Sequence, residues 1–439
     1  MEKVNKDAAW IVEKLRERGH TAYLVGGCVR DMIMGTKPKD WDVATNAPPD
    51  RVMSIFDKTI PVGAQFGVVI VRRRGRNYEV ATFREEWGYE DGRRPGGVRF
   101  STAKADAKRR DFTINGLFYD PVEGDVIDYV RGLRDLEAGV IRAIGRPEER
   151  FEEDKLRMLR AVRFSSRFGF RIARRTGEAI KKNAKDIEKV SAERVRDELV
   201  HILVSDNPAD GIRKMDDYGL LEHILPEVKD MQGVEQPEKF HPEGDVFEHT
   251  MIMLEMMKKK YKKAPELALA VLLHDVGKPP TFEIKDRIRF NNHAPVGRDM
   301  AEQILKRLRF PNSTVKTVTS LVGDHLKFIE VKNMRPARLM RFIRQDDFDL
   351  HLELHWLDCK ASHGDLENYF FCKQKLKEAG ESKEKLRPRR LITGNDLKAL
   401  GLKPGPLFKQ ILSELEDLQL EGTIVTREEA LDWVRENYL

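Results

Sequence analysis

Two carboxylates one residue apart, in Asp40-Trp41-Asp42, follow a glycine pair at Gly26-Gly27. On a strand, residues two apart share a face, so this spacing predicts both carboxylates on one side and Trp41 on the other. Two such groups repel each other unless a cation lies between them, and magnesium is the hard, oxygen-seeking ion that suits phosphate chemistry. A Gly-Gly turn at a helix start exposes backbone N–H groups, where a phosphate is favoured. Either motif alone is common in turns and solvated loops. Their order, with Arg30-Asp31 and Gly35 between them, describes phosphoryl or nucleotidyl transfer. Asp40 and Asp42 are the expected catalytic metal ligands, and Gly26, Gly27 and Arg30 the expected phosphate cradle.

Further residues fit a nucleotide. In Arg109-Arg110-Asp111-Phe112-Thr113-Ile114-Asn115, guanidinium groups can fork onto triphosphate oxygens. Asp111 and Asn115, a helical turn apart, can reach ribose hydroxyls; a turn capped by Thr113 or Asp111 is the competing reading. Glu79 is the nearest candidate for a third carboxylate beside Asp40 and Asp42, with an exposed strand position as its alternative. The run Glu152 to Phe164 predicts a helix that puts Asp154, Arg157 and Arg160 on neighbouring parts of one face. A salt-bridged surface stripe would look the same. Yet ionised Asp only accepts hydrogen bonds and Arg only donates them. Cytosine and adenine each offer an amino donor beside a bare ring nitrogen, which such a pair fits. Uracil and guanine offer a carbonyl and an N–H instead, and each buried mismatch costs about 1–3 kcal/mol. A protein edge of this kind selects C and A without a nucleic-acid template.

A second constellation lies downstream: His249, His274-Asp275 before Val276-Gly277-Lys278, His293, His325 and Asp358. A lone helical histidine is usually a core residue, but this grouping offers imidazole and carboxylate together, a transition-metal ligand set.

The elements that must position these groups are legible in outline. Lys3 to Arg18 has the spacing of an amphipathic helix, and Ala22 to Val25 that of a strand breaking at Gly26-Gly27 into a short helix that stops near Gly35 and Pro38. Pro48-Pro49-Asp50 opens another helix. Val68 to Val71 and Tyr78 to Thr82 read as a hairpin joined at Gly75-Arg76-Asn77. From Arg84 to Lys104 the pattern is lost, and a long charged, glycine-rich loop suggests a lid. Beyond Pro226 the chain is helical, with helices expected at Met251 to Tyr261, Leu267 to Leu273 and Phe408 to Leu418. The fold class is α+β, divided as 1–140 (head), 141–225 (helical neck), 226–380 (histidine-bearing helical region) and 381–439 (helical tail). Gly405-Pro406 at the start of a tail helix would suit an RNA phosphate or a plain helix–turn–helix packing.

The chain has 439 residues, 40% hydrophobic and 35% charged, which excludes a disordered chain and allows about two to four domains. A net charge of +6 is compatible with RNA without demanding it. Three cysteines without paired spacing exclude a disulfide scaffold and fit a reducing compartment. No run is long enough for a membrane span and no leader pattern is present, so a cytoplasmic location is expected.

The stretch Leu24 to Asp42 resembles the head of the class II nucleotidyltransferases, which contain the CCA-adding tRNA nucleotidyltransferases and bacterial poly(A) polymerases. Arg109 to Leu117 resembles the family's second motif, with Gly116 where alanine is usual, a change expected to matter little. Asp128 to Leu136 with Ile141-Arg142 resembles its third, joining head to neck. Glu153, Asp154 and Arg157 resemble its base-reading Glu-Asp-x-x-Arg. Ser191 to Leu199 resembles the next neck motif. The resemblance implies a polymerase-beta-like head, magnesium, CTP and ATP, and addition of C, C and A to the 3′ end of tRNA with release of pyrophosphate. A loop at Arg84 to Gly97 implies competence to add A. The histidine set is similar to the HD phosphohydrolases at His249, His274, Asp275 and Asp358, with His293 and His325 able to extend it to two metals. The tail resembles that of HD-containing CCA-adding enzymes, which implies contact with tRNA. Two rivals share these motifs: an A-only adding enzyme or poly(A) polymerase, and a metal phosphohydrolase whose head only binds RNA.

Overall fold

The computed structural model describes residues 3–63, 66–87, 97–237, 242, 244–257, 264–380 and 389–439. They fall into two compact units, one up to Lys229 and one from Asp230 onward, apart from Arg307–Arg309, which belongs with the first. The architecture is mixed α+β, as expected.

The first unit opens with helix α1 (Lys6–Glu17), whose Asn5 side chain accepts from the N–H groups of Asp7 and Ala8 at 2.9 and 3.0 Å. Ala8, Ile11, Val12 and Leu15 bury one face, the spacing of an amphipathic helix. Next come β1 (Ala22–Val25), α2 (Gly27–Ile33), β2 (Asp42–Thr45), α3 (Pro49–Ile55), β3 (Thr59–Gly63), β4 (Val68–Arg73) and β5 (Arg76–Thr82). The β4–β5 hairpin turns through Arg74 and Gly75, both at positive φ, the geometry that matches the twist of a tight hairpin. With β8 (Leu117–Tyr119) and β9 (Val126–Asp128), seven strands form one sheet in the order β3-β4-β5-β2-β1-β8-β9. Only β2 and β5 run parallel among these neighbours, with Val43 opposite Val80. One step back along that register sets Asp42 beside Glu79.

Three expectations change here. Asp40 and Asp42 do not share a strand: β2 begins at Asp42, opposite Val25 where β1 ends and the chain turns into α2, so Asp40 has no strand partner and is exposed. The segment after Arg84 is not patternless: β6 (Arg84–Trp87) pairs with β7 (Gly97–Phe100), and α4 (Ala103–Lys108) follows, capped by Thr102. The expected lid between those strands lies outside the described residues. Gly116 is not a spare methyl beside the sugar. A Cβ there would lie 2.7 Å from Val130 Cγ2 and 3.3 Å from Ile144 Cδ1, so the glycine serves packing.

Helix α5 (Gly132–Glu137) packs on the turn Thr113–Asn115, where Asp135 accepts from Thr113 Oγ1 at 2.7 Å and Arg142 Nε at 2.9 Å. The neck continues with α6 (Pro147–Glu153), α7 (Leu156–Phe168), α8 (Arg174–Asn183), α9 (Ala192–Leu203) and α10 (Pro208–Asp217). The single helix expected from Glu152 to Phe164 is two helices. Asp154 is extended (φ −147°, ψ 105°), and its Oδ1 accepts the Leu156 N–H at 3.1 Å. A carboxylate competes well for free N–H groups at a helix start, so it ends α6 and anchors α7.

Among its described residues, the second unit is helical apart from a small hairpin, Phe282–Ile284 with Ile288–Phe290. Its central helices are Val246–Met257, Pro265–Leu273, His293–Arg307, Asn312–Asp324 and Phe348–Ala361. Pro265–Leu273 is apolar and buried from Leu267 on. Three tail helices, Gly394–Ala399, Pro406–Leu420 and Arg427–Tyr438, enclose a core of their own around Leu397, Ile411 and Val434.

Candidate active site and candidate metal centre

A cavity of about 480 Å³ opens in the first unit and gathers most of the expected nucleotide ligands. Gly26, Gly27, Arg30 and Asp42 line it from the head, Arg110, Asp111 and Asn115 from the second motif, and Asp154, Arg157 and Arg160 from the neck. At its floor Gly26 has φ +76°, and a Cβ on it would sit 3.0 Å from Arg110 Nη1, so both conformation and space demand glycine.

The acids stand at one edge. Burial and the Glu79 charge push the Asp42 carboxyl up to about 6, Arg110 opposes them, and Asp40 adds to the rise. The three carboxylates therefore feel one another, although Asp40 and Glu79 are exposed. Such an oxygen-only donor set, raised in energy by mutual repulsion, fits a hard divalent cation.

The cationic wall is built on buried acids. Asp106, 1% exposed, takes Arg109 at 2.7 Å and Arg110 at 3.0 Å. Although burial opposes it, Arg110 and Arg109 hold the Asp106 carboxyl below its ordinary value. Asp111 accepts Arg160 Nη2 at 2.6 Å, Asn115 Nδ2 at 3.0 Å and the Phe112 N–H at 2.8 Å. Arg160 outweighs burial and holds its carboxyl well down. Arg30, an expected phosphate ligand, lines the cavity but is already engaged. It is 3% exposed, pairs with Asp31 at 2.6 Å, bonds Asn115 and stacks near Phe164 and Phe168, so it orders the cradle from below.

Asp154 and Arg157, the expected base-reading pair, are joined through the backbone, where the Arg157 N–H donates to the Asp154 carbonyl at 3.0 Å, and their side chains have separate partners. Asp154 Oδ2 is held by Arg194 Nη2 at 2.7 Å. Arg157 Nη1 donates to Glu153 at 2.6 Å, and its Nη2 donates to the Arg109 carbonyl at 3.4 Å. Both side chains line the cavity, each steadied by a neighbour. The sequence reading missed Arg163, Arg167 and Arg194 as lining residues. The repeat Arg157, Arg160, Arg163 and Arg167 at helical spacing was the available signal for two of them. For Arg194, on another helix, the signal was its place in the Ser191 to Leu199 neck motif.

The second unit brings its histidines together. His274 Nε2 lies 3.1 Å from Asp275 Oδ2, and His293 Nε2 and His325 Nε2 lie 3.6 and 3.9 Å from Asp275 Oδ1. His249 Nε2 is 3.2 Å from Asp358 Oδ1. The Nδ1 atoms of His274, His293 and His325 face the backbone carbonyls of Val271, Phe290 and Val322 at 2.9, 2.8 and 2.6 Å. That contact fixes the tautomer and leaves each Nε2 lone pair aimed at the cluster, as in metal-ligating histidines. Burial lowers His293 and takes His325 down to about 4, so both are neutral near pH 7. Two groups, His249 with His274 and Asp275, and Asp275 with His293 and His325, each bring their ligand atoms within 4.8 Å of one another. Gly277 permits this: a Cβ there would fall 2.1 Å from the His293 carbonyl.

Comparison with known proteins follows this division. Residues 22–142 match a poly A polymerase head domain, 169–232 a probable RNA and SrmB-binding site of polymerase A, and 246–354 an HD domain. The CCA-adding enzyme of Ligilactobacillus salivarius is 46% identical over 219 residues, which is 50% of this chain and 54% of that protein. That of Bacillus pumilus is 47% identical over 194 residues, 44% of this chain and 48% of that protein. The chain thus spans about half the length of the curated relatives it matches. A crystal structure of the Bacillus stearothermophilus CCA-adding enzyme in complex with CTP aligns over 98% of this chain and 96% of its own, at 26% identity and a TM-score of 0.75. Among the described residues, no helix is long and apolar enough to cross a membrane.

Proposed function

We propose that this chain, which belongs to the poly(A) polymerase and CCA-adding nucleotidyltransferase family and carries an HD domain, adds C, C and A to the 3′ end of tRNA from CTP and ATP with release of pyrophosphate. The observation that carries this reading is the single cavity that holds Gly26, Asp42, Asp111, Asp154 and Arg157 together. The Gly26-Gly27 turn and Arg110 receive the triphosphate, and Arg30 holds that floor in place. Asp111 and Asn115, bonded to each other, meet the ribose. Asp154 and Arg157 present acceptor and donor to the base edge. Asp42, with Asp40 and Glu79 beside it, is placed to hold magnesium, which when bound would acidify the attacking 3′-hydroxyl and offset charge on the α-phosphate. In the HD region, His249, His274, Asp275 and Asp358, with His293 and His325, are placed to hold a divalent transition metal. The protein functions in the cytoplasm on this reading.

The relatives named for CCA addition favour this over an A-only enzyme or poly(A) polymerase, and over a phosphohydrolase with an RNA-binding head. Purified protein with tRNA ending before CCA and each labelled nucleotide separates them. Incorporation of C then A, and none by Asp42→Ala, is expected. Incorporation of A alone, or of nothing, contradicts the proposal.

A further inference from the structure

A second cavity, of about 390 Å³, shares Arg109 with the nucleotide cavity and is otherwise lined by residues given no functional role so far. It is lined by Glu85 of β6, Thr102, Lys104, Lys108 and Arg109 in and around α4, and Arg150 of α6. It also lies outside 169–232, the segment that matches an RNA-binding model.

Its charge is unbalanced in a defined way. Glu85 is matched by Arg99 at 2.8 Å, Arg109 by Asp106 at 2.7 Å and Arg150 by Glu153. Among the described residues, the Nζ groups of Lys104 and Lys108 take no ion pair or hydrogen bond. The two lysines are exposed and four apart on α4, so they stand on one face about 5–6 Å apart at Cβ. Among the described residues, the cavity therefore keeps two cations without a partner beside a wall whose other charges are satisfied, which suits phosphate oxygens.

Position narrows the ligand. Arg109 lines both this cavity and the nucleotide cavity, and its carbonyl takes Arg157 Nη2 at 3.4 Å. The second cavity thus adjoins the first through Arg109. The triphosphate already has the Gly26-Gly27 cradle and Arg110. The other polyanion that must reach the first cavity is the RNA strand carrying the 3′-hydroxyl, and its preceding phosphates need a place just outside.

We propose that Lys104 and Lys108, with Arg109 and Arg150, form a subsite for backbone phosphates of the acceptor RNA strand, next to the incoming nucleotide. This rests on the reading of the first cavity as the nucleotide site. The test is chosen to stand apart from it, because binding of RNA is measured without any addition.

The double variant Lys104→Gln and Lys108→Gln, both exposed positions, is compared with the unaltered protein by fluorescence anisotropy on labelled tRNA ending before CCA, over a range of salt. Loss of two phosphate contacts should lower the slope of log K against log salt by about 1.4–1.8 and weaken binding roughly tenfold near 0.1 M salt. KM for CTP and ATP should be unchanged. A single uncharged methylphosphonate linkage, moved through the last three linkages of the RNA, should weaken the unaltered protein at one position and leave the variant indifferent to that change. An unchanged slope, or additive effects at all three linkages, overturns the proposal. So does loss of inhibition by inorganic pyrophosphate with RNA affinity intact, which would make the cavity a site for the free anion.

Discussion

Asp42 bears an electrostatic cost in the metal-free protein, and its sign can be worked out. Burial and Glu79 raise its carboxyl from 3.8 to about 6, so the folded state holds the proton more tightly than the unfolded one. Stability linked to this group is fully present below the unfolded value and is lost as pH rises through about 6. Asp42→Asn should therefore stabilise chelator-treated protein at pH 8 by about 1–2 kcal/mol, discounted for partial exposure, while abolishing incorporation. Thermal unfolding at pH 8 and pH 5 checks this: the gain should shrink at the lower pH, and an equal gain at both would refute the assignment. Arg194 supports a second residue-scale expectation. It holds Asp154 at 2.7 Å without meeting the base itself on this account. Arg194→Ala should raise KM for CTP and ATP about three- to tenfold with a smaller change in kcat, and Arg194→Lys should restore part of it. An effect confined to kcat would assign Arg194 elsewhere.

Among the elements, the neck helices fix where Asp154 and Arg157 stand. Helices α7, α9 and α10 pack closely because Gly211 has no side chain: a Cβ there would lie 2.4 Å from Ile202 Cγ2 and 2.9 Å from Ser166 Oγ. Gly211→Ala should cost about 1–3 kcal/mol by overpacking. The check is a lowered midpoint in urea unfolding, and an unchanged midpoint would show that the helices part freely. Element identity was largely legible beforehand, because α1, β1, α2 and the β4–β5 hairpin follow apolar spacing and turn residues that act locally. What was not legible had two sources, a local capping contact and the pairing of strands with partners elsewhere in the chain. The break at Asp154 came from a carboxylate capturing the Leu156 N–H, although Glu152 to Phe164 is helix-forming throughout. Strand β3 and the β6–β7 pair were missed because their residues alternate weakly and gain order from their partners.

The whole molecule holds two candidate sites in two compact units, the oxygen-rich one in the first and the imidazole-rich one in the second. Motif order made both visible in the sequence. The partners that hold the arginines were not: Asp106 beneath Arg110 and Asp31 beside Arg30 are close in sequence, whereas Asp31 reaches Arg167 and Glu198 reaches Arg163, each at 3.1 Å, across helices. His274→Ala should lose transition metal from the second unit, read by elemental analysis after dialysis, while keeping nucleotide incorporation within about twofold. Retained metal would exclude His274 as a ligand, and lost incorporation would mean that the two sites depend on each other.

The central claim is that protein atoms, rather than a nucleic-acid template, choose the base above Asp42. Single-turnover incorporation into tRNA ending before CCA, measured with CTP and UTP for the unaltered protein and for Asp154→Ala, tests it most directly. The account predicts that preference for CTP falls about tenfold or more while the maximal rate with CTP changes less. An unchanged preference accompanied by a slower rate would contradict it.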